Sequence, residues 1–77
     1  MIDDELLKSF GEAIKRARLT QGWSQEELAE YSKLDRTYVS SVERGKRNVS
    51  LINIYRLALA LKLTVSELFE EMGDDCE

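Results

Sequence analysis

The 77-residue sequence contains no histidine and no proline, one cysteine and four glycines. Each scarcity removes a class of answers. Without histidine, and with no serine, cysteine or lysine beside an evident activating base, the usual nucleophile–base pairs have nothing to start from. No glycine-rich phosphate loop is present. An enzyme is therefore not expected. The lone Cys76 has no partner for an intramolecular disulfide and no neighbouring metal ligands, so neither a metal nor another cofactor is expected, and a reducing cytoplasm is the expected compartment. No apolar run approaches the ~20 residues that span a bilayer. The opening Met1-Ile2-Asp3-Asp4-Glu5 is acidic where a secretory signal would be basic. With no proline and few glycines, long helices are easy and loops must be short.

What is present has the balance of a soluble globular protein, with 43% hydrophobic and 34% charged residues. The expected organisation is a single domain over 1–77, with 72–77 a frayed acidic tail. A core this small rarely supplies more than ~3–5 kcal/mol, and dimerisation is a usual remedy. The net charge of −4 argues at first against nucleic acid. Its distribution argues the other way. Residues 1–12 and 67–77 carry ten of the fifteen acids, four and six respectively. Residues 36–47 carry Arg36, Arg44, Lys46 and Arg47 against Glu43 alone. Salt limits charge effects to about 8–10 Å, so a local basic patch matters more than the total. A merely solvated face is the plain alternative.

Helix starts are legible. Ser24, Asp35, Ser50 and Thr64 each have an apolar residue before them and another four positions on: Trp23/Leu28, Leu34/Val39, Val49/Ile54 and Leu63/Leu68. That is hydrophobic-staple spacing. Ser24 with Glu27 and Thr64 with Glu67 also form capping boxes. The caps divide an all-α chain into helices over about 4–21, 25–31, 36–44, 51–61 and 65–72. Phe10, Ile14, Ala17 and Leu7 share one face of the first helix, which ends at Gly22; Gly45 stops the third. The expected core is Phe10, Ile14, Leu19, Leu28, Ala29, Leu34, Val39, Val42, Leu51, Ile54, Leu57, Ala58, Leu61 and Leu68, with Trp23 closing its edge.

A short helix over 25–31, a turn over 32–35 and a third helix have helix-turn-helix spacing. In that motif the second helix of the pair enters the major groove and its N-terminal residues reach base edges. Gln25-x-x-Leu28-Ala29 followed by Val39-Ser40-x-Val42-Glu43-x-Gly45 resembles the Cro/C1-type, phage-repressor-like helix-turn-helix family, continuously from about Phe10 to Phe69. Within that family, the run from Leu34 to Asn48, above all Asp35-Arg36-Thr37-Tyr38 with Arg47-Asn48, resembles the controller proteins of bacterial restriction–modification systems. The resemblance implies a compact five-helix bundle of the lambda-repressor-like DNA-binding type. It also implies a sequence-specific regulator that activates and then represses its own gene and the endonuclease gene, with two dimers on one operator and contact with RNA polymerase.

Residue by residue, Arg36 opens the recognition helix, where a guanidinium can take guanine bidentately, worth ~1–3 kcal/mol of discrimination. Thr37 offers a methyl or hydroxyl to a base, and Tyr38 a ring for a flexible step or a hydroxyl for the backbone. The resemblance implies that Arg47 reaches a base, Asn48 a phosphate, and Gln25 a phosphate while steadying the recognition helix. It also implies that Ser40 is a contact; Ser41 is a second short donor beside it. Arg18, Arg44 and Lys46 would add phosphate charge. Glu43, the odd acid, is expected to pair with Arg16 or Arg44, or to hold the fold, rather than touch DNA. Ile52, Tyr55, Val65, Phe69 and Met72 look apolar beyond the needs of one core and are expected to form a two-fold dimer interface. Such a dimer would set two recognition helices one DNA turn (~34 Å) apart on a palindrome. The rival readings are a phage-type or stand-alone repressor and an antitoxin-like protein-interaction module.

Overall fold

Four polar residues decide where the helices begin. The computed structural model describes residues 2–72, which form α1 (Ile2–Gln21), α2 (Gln25–Ser32), α3 (Arg36–Glu43), α4 (Leu51–Ala60) and α5 (Val65–Met72), with no strand among the described residues. Ser24 Oγ accepts from the Glu27 amide at 3.1 Å and Glu27 Oε1 accepts from the Ser24 amide at 2.8 Å. Thr64 and Glu67 make the same reciprocal pair, both bonds 2.9 Å. Asp35 Oδ2 accepts from the Thr37 amide at 2.9 Å, and Ser50 Oγ from the Asn53 amide at 3.2 Å. Each satisfies an amide that the first turn of a helix leaves without a partner. In α1, Asp3, Asp4 and Glu5 crowd the positive end of the helix dipole and Arg18 the negative end.

The helices are short and are held by packing. α1 lies against α3 and α5, α2 against α3 and α4, and α4 against α5. Phe10, Ala13, Ile14, Leu28, Ala29, Val39, Val42, Leu57, Ala58, Leu61, Leu68 and Met72 fill the space between them. Trp23, Leu34 and Ile54 pack at its margin. Two expected core residues lie outside it: Leu19 is 57% exposed and Leu51 75%. At 100° per residue Leu19 falls about 140° round the helix from Ile14, and Leu51 about 120° from Leu57, so neither shares the buried stripe. Ala13, absent from the expected core, is fully buried because α1 meets its neighbours there at close range.

That close range has a specific cause. A Cβ added to Gly11 would lie 2.8 Å from the Glu43 carbonyl oxygen, so only glycine lets α1 approach the end of α3. Just beyond α3, Gly45 adopts φ +73° and would set a Cβ 2.8 Å from Lys8 Cα. Both the left-handed backbone and the contact favour glycine there. The two glycines dock α1 against the C-terminal end of α3 and so orient α3.

Candidate nucleic-acid interface

Helices α2 and α3 are joined by a tight turn at 33–35. Lys33 closes α2 in the left-handed conformation, φ 63°. Its amide donates to the Ala29 and Glu30 carbonyls, and the Leu34 amide donates to Ala29 at 2.9 Å. The last carbonyls of α2 are thus satisfied and the chain turns at once into the Asp35 cap of α3.

Behind α3 lies a buried polar network. Arg18 Nε donates to Glu43 Oε2 at 2.7 Å and Nη2 to Glu43 Oε1 at 3.0 Å, while Nη1 donates to the Trp23 carbonyl at 2.8 Å. Gln25 Nε2 donates to Glu43 Oε1 at 3.0 Å. One carboxylate therefore joins α1, the start of α2 and the end of α3. Its hydrogen bond raises the pKa of the Arg18 guanidinium above its ordinary value; burial opposes this and Coulombic attraction adds to it. Two expectations change as a result. Arg18 is buried in this network and does not offer its charge to a phosphate. Glu43 pairs with Arg18, not with Arg16 or Arg44; Arg16 instead donates to the Glu71 carbonyl. The signal was present in the sequence: Arg18 continues the Phe10–Ile14 spacing of four, which places it on the apolar stripe.

With Glu43 answered from inside, the cations around α3 face outward without compensation from it. Arg36, Thr37, Arg44, Lys46, Arg47 and Asn48 are all exposed. Ser40 is half-buried and its Oγ accepts from Arg44 Nη1 at 2.7 Å, which ties that guanidinium to the outer side of the helix. Ser41 turns inward: it is 8% exposed, donates to the Tyr38 carbonyl at 2.7 Å and accepts from Arg47 Nε at 3.3 Å. Its hydroxyl serves the protein, contrary to the expectation of a backbone contact. Tyr38 is half-buried, with the Arg47 guanidinium 4.9 Å from its ring centroid and its hydroxyl accepting from Asn53 Nδ2 at 3.0 Å. Asn53 had no role in the sequence reading. Nothing local marks it, because the contact joins residues fifteen positions apart on different helices.

The expected dimer residues divide. Ile52 is 66% exposed and Tyr55 55%. Phe69 is half exposed but sets its ring edge-on to Phe10, centroids 6.4 Å apart. Val65 is half-buried against the core. Met72 is a core residue at 5% exposure, since the last turn of α5 packs its apolar face on α1. Leu6, Phe10, Val49, Ile54, Phe69 and Met72 contribute to an open apolar groove of about 430 Å³. Of the tail expected over 72–77, Met72 instead closes α5, and residues 73–77 lie outside the described residues.

Comparison with known proteins agrees with this geometry. A family model described as "Helix-turn-helix" matches residues 14–68. The chain belongs to this helix-turn-helix family. It is similar to Control protein C.MunI from a Mycoplasma species, 47% identical over 82% of this chain and 86% of that protein. It is similar to Control protein C.BamHI from Bacillus amyloliquefaciens, 44% identical over 79% and 76% of the two chains. Among solved structures, the restriction–modification controller protein C.AhdI from Aeromonas hydrophila is 54% identical over 82% of this chain and 96% of that one, with a TM-score of 0.80. The controller protein C.Esp1396I, solved as a tetramer in complex with its natural 35-base-pair operator, is 35% identical over 92% and 93%, with a TM-score of 0.84. The fold is the all-α, lambda-repressor-like one.

Proposed function

We propose that the chain is a restriction–modification controller: a homodimeric, sequence-specific DNA-binding regulator that recognises a palindromic operator through α3 and acts without catalysis, in the cytoplasm. The observation that carries this reading is the charge asymmetry across α3. Its inner side holds Glu43 neutralised by Arg18, and its outer side holds Arg36, Arg44 and, just beyond the helix, Lys46 and Arg47, all exposed. The likeness to operator-binding controllers supports the same reading.

In the mechanism, Arg44, Lys46 and Asn48 meet phosphates and set register, with Ser40 and Gln25 at the edge of the contact. Arg36, Thr37, Tyr38 and Arg47 read bases. Gln25 also braces α3 through Glu43. Ile52, Tyr55 and Phe69 join two copies, and the symmetry of the dimer sets the spacing of the half-sites. At low concentration one dimer activates transcription by contact with RNA polymerase. At higher concentration a second dimer on the same operator represses.

The test is a titration of the purified protein onto the DNA upstream of its own gene, against a scrambled duplex, at several salt concentrations. Preference for the upstream DNA with a steep salt slope supports the reading, because phosphate contacts produce the slope and base contacts the preference. Binding to neither duplex at low salt would overturn it.

A further inference from the structure

The phenol of Tyr38 is held from outside the helix-turn-helix. Asn53, at the third position of α4, donates its amide to the phenol oxygen at 3.0 Å. On the other side the Arg47 guanidinium lies 4.9 Å from the ring centroid, within the range of a cation–π contact. Arg47 Nε donates to Ser41 Oγ, which donates in turn to the carbonyl of Tyr38 itself. Ring, hydroxyl and guanidinium are thus fixed together by two residues that do not face outward as Arg36 and Thr37 do. The polarity of the Asn53 bond matters. A phenol has one proton to give and lone pairs to accept with. Because Asn53 donates, it occupies a lone pair and leaves the phenol proton available to an external acceptor. Base edges and phosphate oxygens are such acceptors.

We propose that Asn53 is a positioning residue for DNA recognition: it fixes the Tyr38 ring beside Arg47 and keeps the phenol proton for an acceptor on the nucleic acid. This rests on the reading of α3 as the recognition helix. Asn53 acts through Tyr38 and makes no contact of its own. One neutral hydrogen bond contributes a net effect equivalent to about 3- to 10-fold in an equilibrium, so its loss should lower operator preference by that factor.

The experiment uses the duplex that the wild-type protein enriches from a randomised pool, and a scrambled duplex of the same composition. Enrichment of nothing would be a failure of the DNA-binding reading and not of the role of Asn53. Given an enriched duplex, Asn53→Ala should reduce the preference for it about 3- to 10-fold. The same substitution placed on Tyr38→Phe should add almost nothing, because the hydroxyl it positions is already gone. Unchanged preference in Asn53→Ala, or an equal loss in both backgrounds, would overturn the proposal. Asn53→Asp guards against a folding artefact. An acid at the third position of a helix is favourable to the helix, so a purely structural role predicts a neutral or stabilising change. A carboxylate instead accepts the phenol proton and removes it from the DNA. Reduced preference with an undiminished melting temperature supports the proposal; retained preference overturns it.

Discussion

Glu43 is the residue on which α1, α2 and α3 converge, and its carboxylate is nearly sealed, with only 3% of its side chain exposed. Removing one member of such a pair leaves a buried charge unanswered, so Glu43→Ala should destabilise the fold by about 3–5 kcal/mol. Thermal melting reads this directly. Replacing both partners with apolar residues, Arg18→Met with Glu43→Leu, should cost much less than either single change. The pair should also be insensitive to moderate alkali. Arg18 is a base whose pKa rises on folding, so its stabilisation is complete below the ordinary guanidinium value and fades only above it. Outside this network, Arg36 is exposed and has no fold-bearing role. Arg36→Ala should leave the melting temperature unchanged and reduce operator discrimination by about 1–3 kcal/mol, measured as the affinity ratio between operator and scrambled duplex.

Element boundaries were the most legible feature of the sequence, because capping is local. Ser24, Asp35, Ser50 and Thr64 begin their helices as expected; the ends of α2, α3 and α4 move by one residue, and α1, which has no such cap in the sequence reading, begins two residues earlier. Closing residues were less legible. Lys33 and Lys62 turn left-handed, at φ 63° and 64°, where glycine is the usual choice. Each pays a steric cost for its Cβ. Lys62→Gly should therefore raise stability by about 0.5–1 kcal/mol, seen as a higher denaturant midpoint with an unchanged slope. An unchanged or lower midpoint would contradict that account of the α4–α5 turn. Gly11 was missed for the opposite reason. Glycine inside a helix is only a penalty in sequence terms, and its use emerges when the end of α3 arrives against it.

At the scale of the whole molecule, the basic outer side of α3 was legible as a charge cluster in a short run of sequence. The inward roles of Arg18, Ser41 and Met72 were not, because each depends on which helix packs where. The same holds for Asn53, whose partner lies across the α3–α4 loop. On α4, Ile52 and Tyr55 are exposed, as are Leu51 and Leu59. Ile52→Glu with Tyr55→Glu should leave the fold intact and shift sedimentation from dimer to monomer. Operator affinity should fall with it, since one recognition helix then binds without its partner.

The central claim is that two copies of α3 read one palindrome. Enrichment of duplexes from a randomised pool by the wild-type protein, followed by sequencing, tests it most directly. The account predicts an inverted repeat whose half-sites are centred about ten base pairs apart, one turn of DNA. Enrichment of a single unrepeated site, or of no sequence at all, would contradict it.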